Sequence, residues 1–286
     1  PRLLLNLALA LFTGLLLGVG YVVLREHFDD AIRSSEDVET ELGTSMIGLV
    51  PMLAAGQSPN TELQKVRSET SEAYYALRAA LELATPTGAP HSLMVTSTGP
   101  SEGKSTTSYA LARGFAQIGR RVILIDADMR KPAQHRNLEL PNKFGLANLL
   151  ARQATLQEVL QHTTTPNLDF ISAGPLPVNP AELIAGLGLA KLIDQIKDDY
   201  DIILVDAPPV LGLADAPTLA SHVDATLFVV QANHARGRQA RIALTRLKAA
   251  RAYVVGALLT KFDAKVIGHS TDYGYSYSYG QSDQRS

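Results

Sequence analysis

The chain has no cysteine and no tryptophan among its 286 residues. Without cysteine there is no disulfide framework, no thiolate metal site and no cysteine nucleophile. This is compatible with a reducing compartment. An excess of one charge is also missing. The formal net charge is −2, so no broad basic field points to nucleic acid, and an anionic ligand has to be captured locally. Aromatic residues make up only 6% of the chain, so any cluster of them is informative. What is present is apolar content, 46%, enough for one α/β domain of ordinary size with appendages. The first residue is Pro1 rather than methionine, and a processed or longer chain is expected.

One stretch lacks charge altogether. Leu3 to Leu24 has only Asn6, Thr13 and Tyr21 as polar side chains. As a helix rising about 1.5 Å per residue it reaches about 33 Å, enough for a hydrocarbon core of about 30 Å. A signal peptide has a shorter apolar region and a small-residue cleavage site, whereas Arg25-Glu26-His27-Phe28-Asp29-Asp30 follows here. Residues 1–25 read as a transmembrane helix, with a signal peptide or a buried core helix as the competing readings. Arg2 and Arg25 flank both ends, so positive charge sets no direction.

Residues 26–60 read as a juxtamembrane connector. They hold the acidic Glu36-Asp37-Val38-Glu39, a strand candidate Met46–Val50 stopped by Pro51, and the loop-forming Gly56-Gln57-Ser58-Pro59-Asn60. Thr61 to Ala84 has helical period. From residue 91 apolar strands alternate with helices. The strand candidates are Leu93–Thr96, Val122–Asp126, Leu168–Ile171, Ile202–Asp206, Ala225–Val230 and Val254–Thr260. Continuous apolar runs of this kind suit strands covered on both faces. Helices are expected over Lys104–Ile118, Ala181–Lys197 and Arg238–Ala250. The alternation predicts a doubly wound, mostly parallel sheet over 61–268, with ligands bound beyond the carboxyl ends of its strands. A tail rich in Gly, Ser and Tyr occupies 269–286.

Three blocks carry chemistry. In the first, strand Leu93–Thr96 runs into Ser97-Thr98-Gly99-Pro100-Ser101-Glu102-Gly103-Lys104-Ser105-Thr106 at the start of a helix. Small residues let backbone N–H groups close on a triphosphate. Gly99 to Thr106 are the candidate nucleotide-binding residues, with Lys104 on the β- and γ-phosphates and Ser105 on Mg²⁺. Thr98 stands where the usual pattern has glycine. The second block ends a strand in Asp126-Ala127-Asp128-Met129-Arg130. Two carboxylates so spaced can serve a metal and accept a proton from an attacking hydroxyl. In the third, Asp206-Ala207-Pro208-Pro209 ends another buried strand, and Asp206 is the expected further metal contact. Asp215 reads equally well as support for the site or as a helix cap.

These blocks together resemble the bacterial tyrosine kinases of the polysaccharide co-polymerase type. Ser97–Thr106 is similar to that family's Walker A motif, Leu124–Arg130 to its Walker A′ and Ile203–Pro209 to its Walker B. Gly174–Leu183 is similar to the loop before its next helix. Residues 1–51 resemble the family's junction between membrane part and kinase part. The resemblance implies a P-loop fold with ATP and Mg²⁺ as cofactors. It implies Lys104, Asp126 and Asp128 as catalytic residues, and Ser105, Asp126, Asp128 and Asp206 around the metal. It also implies the bacterial inner membrane as location, with the kinase part in the cytoplasm. The implied partners are further copies of the chain, membrane lipid, the polysaccharide polymerase and export machinery, and a phosphotyrosine phosphatase. The family often packs subunits through Glu-x-x-Arg-x-x-Arg. Here Glu72 and Arg78 match, but the middle position is Tyr75.

Tyr273, Tyr275, Tyr277 and Tyr279 alternate with Gly and Ser. Without an apolar partner pattern they read as phosphoacceptors on a flexible tail, or alternatively as an edge strand or sticky segment. The basic residues Arg236, Arg238, Arg241, Arg246, Lys248 and Arg251 read first as a solvated helix face. The functional reading is a tyrosine autokinase controlling polysaccharide polymerisation and export. Two alternatives stand beside it: a positioning ATPase, which lacks support because Gly99 replaces the lysine that class carries, and a nucleotide-binding co-polymerase without kinase activity.

Overall fold

The computed structural model describes residues 2–263, apart from 28, 29, 55, 66 and 87. The tail tyrosines Tyr273, Tyr275, Tyr277 and Tyr279 lie outside the described residues. Eight described strands form one sheet: β1 Met46–Pro51, β2 Ser92–Ser97, β3 Val122–Asp126, β4 Leu160–His162, β5 Leu168–Ile171, β6 Ile202–Asp206, β7 Ala225–Gln231 and β8 Val254–Phe262. Their order is β1-β8-β7-β2-β6-β3-β5-β4. Every neighbouring pair is parallel except β4 with β5. The expected mostly parallel α/β sheet is present.

Period-2 alternation divides the strands' apolar side chains between two cores. Leu93, Val95, Val122, Leu124 and Leu204 face Leu111 and Phe115 of helix Lys104–Gln117, and Tyr74, Leu77 and Leu81 of helix Glu69–Glu82. Met94, Ile123, Ile125, Ile203 and Val205 belong to the opposite core. Helices Ser35–Leu42, Gly188–Ile196 and Gly237–Ala249 contribute Val38, Leu192 and Leu244 there. Residues covered on both faces explain the unbroken apolar runs of the central strands.

Two expected helices are each broken in two. The run Thr61–Ala84 becomes Pro59–Gln64 and Glu69–Glu82. The Ser68 hydroxyl accepts from Ser71 N at 3.1 Å and donates to Glu62 O at 2.7 Å, so it starts a second helix where one was expected to continue. The run Ala181–Lys197 divides around Gly186 into Pro180–Ala185 and Gly188–Ile196. The stretch 26–60 contributes to the sheet: β1 pairs with β8, and helix Ser35–Leu42 packs on Gly237–Ala249. Ser34 and Asp37 form a reciprocal capping box at that helix's start. Part of the basic helix face is engaged as well, since Arg241 pairs with Glu41.

Leu3–His27 is one helix, with Leu3, Leu4 and Leu11 exposed. Several of its side chains lie outside the described residues. Among the described residues no helix is long and apolar enough to cross a membrane, so the span is not shown.

The end of β5 is packed without room to spare. Leu146 N donates to Ser172 O at 2.7 Å and Ala147 N to Ala173 O at 2.9 Å. A Cβ on Gly145 would overlap the Ser172 carbonyl oxygen and the Gly174 amide nitrogen. Gly145→Ala is expected to lower unfolding stability by about 1–3 kcal/mol, read as a lower urea midpoint at unchanged slope.

Candidate active site

The three motifs converge because their strands end at one level. β2, β6 and β3 are consecutive neighbours, and Asp126 is register-paired with Asp206. Both side chains are fully buried. The chain leaving β6 is tied to the end of β2, since Thr96 Oγ1 donates to Pro208 O at 2.7 Å and Val210 N to Ser97 O at 2.9 Å.

The loop from β2 bends on itself around Glu102. This carboxylate is buried and accepts from Thr98 N at 3.1 Å and Gly99 N at 3.0 Å. It therefore ties the start of the loop, Thr98 and Gly99, to its far side. Burial pushes the Glu102 carboxyl up to about 7, against the two amides and Lys261. From outside, Thr260 Oγ1 donates to Glu102 O at 2.6 Å and Lys261 Nζ to Ser101 O at 2.8 Å. Gly103 has φ 100°, a left-handed conformation that favours glycine.

Helix Lys104–Gln117 then opens on the cleft. Its first bonded amide is Thr107 N, 2.9 Å from Gly103 O, and no side chain caps the start. The preceding amides are left to an external acceptor. Lys104 Nζ is 2.8 Å from Asp128 Oδ2, 3.8 Å from Asp206 Oδ1 and 3.3 Å from Ser105 Oγ. Burial works to lower the ammonium's pKa, but the carboxylates of Asp206 and Asp128 outweigh it and hold it above the usual lysine value. Burial likewise works to raise Asp128, and Lys104 with the amides of Lys131 and Arg130 overcomes this and holds it low. Asp126 is pushed up to about 7 by burial and by the neighbouring Asp206.

A cleft of about 590 Å³ lies over this constellation. Of the expected nucleotide-binding residues, Pro100, Ser101, Gly103, Lys104, Ser105 and Thr106 line it. Gly99 and Glu102 do not. Among the three aspartates Asp128 lines the cleft, while Asp126 and Asp206 sit behind it. Asp126 accepts from Asp128 N, Ala133 N and Gln134 N at 3.0–3.2 Å, and so shapes the loop after β3. Among the described residues no group of three or more His, Cys, Asp or Glu is arranged to hold a metal ion. Asp215 pairs with Arg130 at 2.7 Å and is not a cap by its side chain. Glu72 is exposed. Arg78 lies apart from the cleft; it donates to Gly114 O at 3.1 Å, with its guanidinium 5.9 Å from the Tyr75 ring centre.

Sequence reasoning missed Ser108, Gln134 and Lys261. Ser108 Oγ is 3.2 Å from Asp206, and Lys261 lines the cleft. Only the position of Ser108, one helical turn after Lys104, carried a usable signal.

A family model described as an AAA domain matches residues 97–245. Over 217 residues the chain is 35% identical to the tyrosine-protein kinase YwqD of Bacillus subtilis (strain 168), covering 76% of this chain and 89% of that protein. The chain belongs to the bacterial tyrosine-protein kinases. Over 293 residues this tyrosine-protein kinase is 32% identical to the putative tyrosine-protein kinase EpsB of Ralstonia solanacearum, covering 98% of the chain but only 38% of that relative's length. The kinase domain of Escherichia coli tyrosine kinase ETK superposes with a TM-score of 0.75 at 28% identity, covering 85% of this kinase and 99% of that domain.

The Glu102 brace has a pH signature. A carboxyl raised in the folded state binds a proton that the unfolded chain has already lost between about 4.5 and 7. Its contribution to stability is therefore greatest at low pH and falls as pH rises through that window. The difference in unfolding free energy between the parent and Glu102→Ala is expected to shrink from pH 5 to pH 8 and then level off. A difference constant across this range contradicts the reading.

Proposed function

We propose that the chain is the ATP-binding catalytic part of a protein-tyrosine autokinase that regulates polysaccharide polymerisation and export, anchored in the bacterial inner membrane by Leu3–Leu24. One observation carries the catalytic reading. The uncapped start of helix Lys104–Gln117 faces a cleft beside a lysine held by two buried aspartates. Free amides and a buried cation suit a polyphosphate.

The donor set fits Mg²⁺ arriving with ATP, and not a metal caged by protein alone. Mg²⁺ dehydrates reluctantly and takes few protein ligands beside phosphate oxygens and water. Ser105 would hold it directly, with Asp126, Asp128 and Asp206 bearing on its surroundings. When bound, the ion offsets charge on the β- and γ-phosphates.

The transfer joins a tyrosine oxygen to the γ-phosphorus and breaks that phosphorus's bond to the β-bridging oxygen, so ADP leaves. The phenol proton goes to a carboxylate. Asp128 is assigned this role because it borders the cleft. Lys104 holds the Asp128 carboxyl low. When Lys104 turns to the phosphates that restraint weakens, and Asp128 becomes a stronger base as the substrate takes its place.

The acceptors proposed are Tyr273, Tyr275, Tyr277 and Tyr279, presented to a second copy of the chain. Full modification would add about −6 to −8 charges and expel the tail from the neighbouring site. Self-association would use the helix Glu69–Glu82, where Glu72 is exposed while Arg78 is already engaged by Gly114. Membrane lipid, the polymerase and export machinery, and a phosphotyrosine phosphatase complete the proposed partners.

With labelled ATP and Mg²⁺, Lys104→Met is expected to lower phosphotyrosine formation by at least about 10²–10³-fold. Retained transfer would mean that the phosphates bind elsewhere. Changing all four tail tyrosines to Phe is expected to remove most incorporation. Label equal to the parent's would place the acceptors outside the tail.

A further inference from the structure

Gln134 belongs to none of the three motifs, yet it touches all of them. Its side chain is fully buried. Nε2 donates to Ser105 O at 2.8 Å and to Asp206 Oδ2 at 2.7 Å, while Oε1 accepts from Asn137 Nδ2 at 3.2 Å. Both Nε2 partners are acceptors, so the amide has one workable orientation. Its backbone amide donates to Asp126 Oδ2 at 3.0 Å.

We infer that Gln134 is a positioning residue for phosphoryl transfer, a clamp that fixes Ser105 against Asp206; this rests on the kinase reading above. Asp126 holds the first amides of the turn that carries Gln134, and the side chain reaches back under the loop to Ser105 and across to β6. The two groups it joins come from separate strand ends, β2 through its helix and β6. Among the described residues no other side chain bonds both the Ser105 backbone and Asp206. When Lys104 swings to a phosphate, Asp206 loses a cation 3.8 Å away. Gln134 stays, as does Ser108. A neutral donor suits this position. It satisfies a buried carboxylate without adding a second positive charge to compete with an incoming cation.

A clamp alters placement rather than affinity for the whole nucleotide. Gln134→Met keeps length and bulk but cannot donate. Its kcat for tyrosine phosphorylation is expected to fall about 10- to 100-fold, with KM for ATP changed less than about 3-fold. Gln134→Glu, alike in shape but an acceptor when ionised, is expected to do no better than Met. By calorimetry, the gain in ADP affinity on adding Mg²⁺ should shrink in both variants, while metal-free ADP binds as in the parent. Asp206→Asn combined with Gln134→Met should cost less than the sum of the two single changes.

If Gln134→Glu retains parental kcat, or if both variants lose only thermal stability, Gln134 is a filler of space and the inference is wrong. If Lys104→Met transfers phosphate normally, the kinase reading fails instead. The Mg²⁺-dependent part of ADP binding then still decides whether Gln134 acts on the site.

Discussion

The ammonium of Lys104 among buried carboxylates is the interaction on which the rest turns. It lies 2.8 Å from Asp128 and 3.8 Å from Asp206, with Asp126 register-paired to Asp206 behind. Removing one partner from such a buried cluster leaves charge uncompensated, which costs far more than an exposed pair does. The surrounding donors are arranged accordingly. Backbone amides serve Asp126 and Asp128, a hydroxyl and a carboxamide serve Asp206, and Lys104 alone of the side chains bonded to these three carries positive charge into the cluster. One ammonium thus faces three carboxylates.

Geometry does for this cluster what affinity alone could not. Parallel strands in register deliver Asp126 and Asp206 to the same height, while the helix after β2 delivers Lys104 and Ser108 from the side. The loop between is stiffened from two directions, by Glu102 within and by Thr260 and Lys261 from β8. A loop so braced keeps its free amides aimed at one place without a ligand to organise it.

Much of this was legible in the amino-acid sequence, for identifiable reasons. Val122–Asp126 and Ile202–Asp206 are legible to their ends, because strands covered on both faces are apolar up to the aspartate that closes each, and Leu168–Ile171 is legible too although the half-buried Asp169 interrupts it. The Gly-Lys-Ser turn and the strand-end aspartates were visible because backbone approach and charge delivery restrict residue type. Helix breaks were less legible. Ser68 looks like any polar residue in a helical run until its hydroxyl is seen bonded to Glu62 O and Ser71 N. Helix Ser35–Leu42 was passed over because its acidic composition hid two apolar positions, Val38 and Leu42. Gln134 could not have been found: its partners lie 29 and 72 residues away, and no spacing rule connects them. Glu102, expected among the nucleotide contacts, turns inward, since a backbone-lined pocket says nothing of where the intervening side chains go.

The pairing of β1 with β8 gives the sheet a mechanical property. β8 holds β1 along one edge, and its far end carries Thr260 and Lys261, the outer supports of the loop around Glu102. A pull on the chain before Met46 therefore loads a parallel ladder in shear, with several backbone bonds resisting at once rather than unzipping singly. Whatever strain survives that ladder arrives in a strand that braces the loop from outside, so tension upstream of the domain has a short and stiff route to the turn around Glu102.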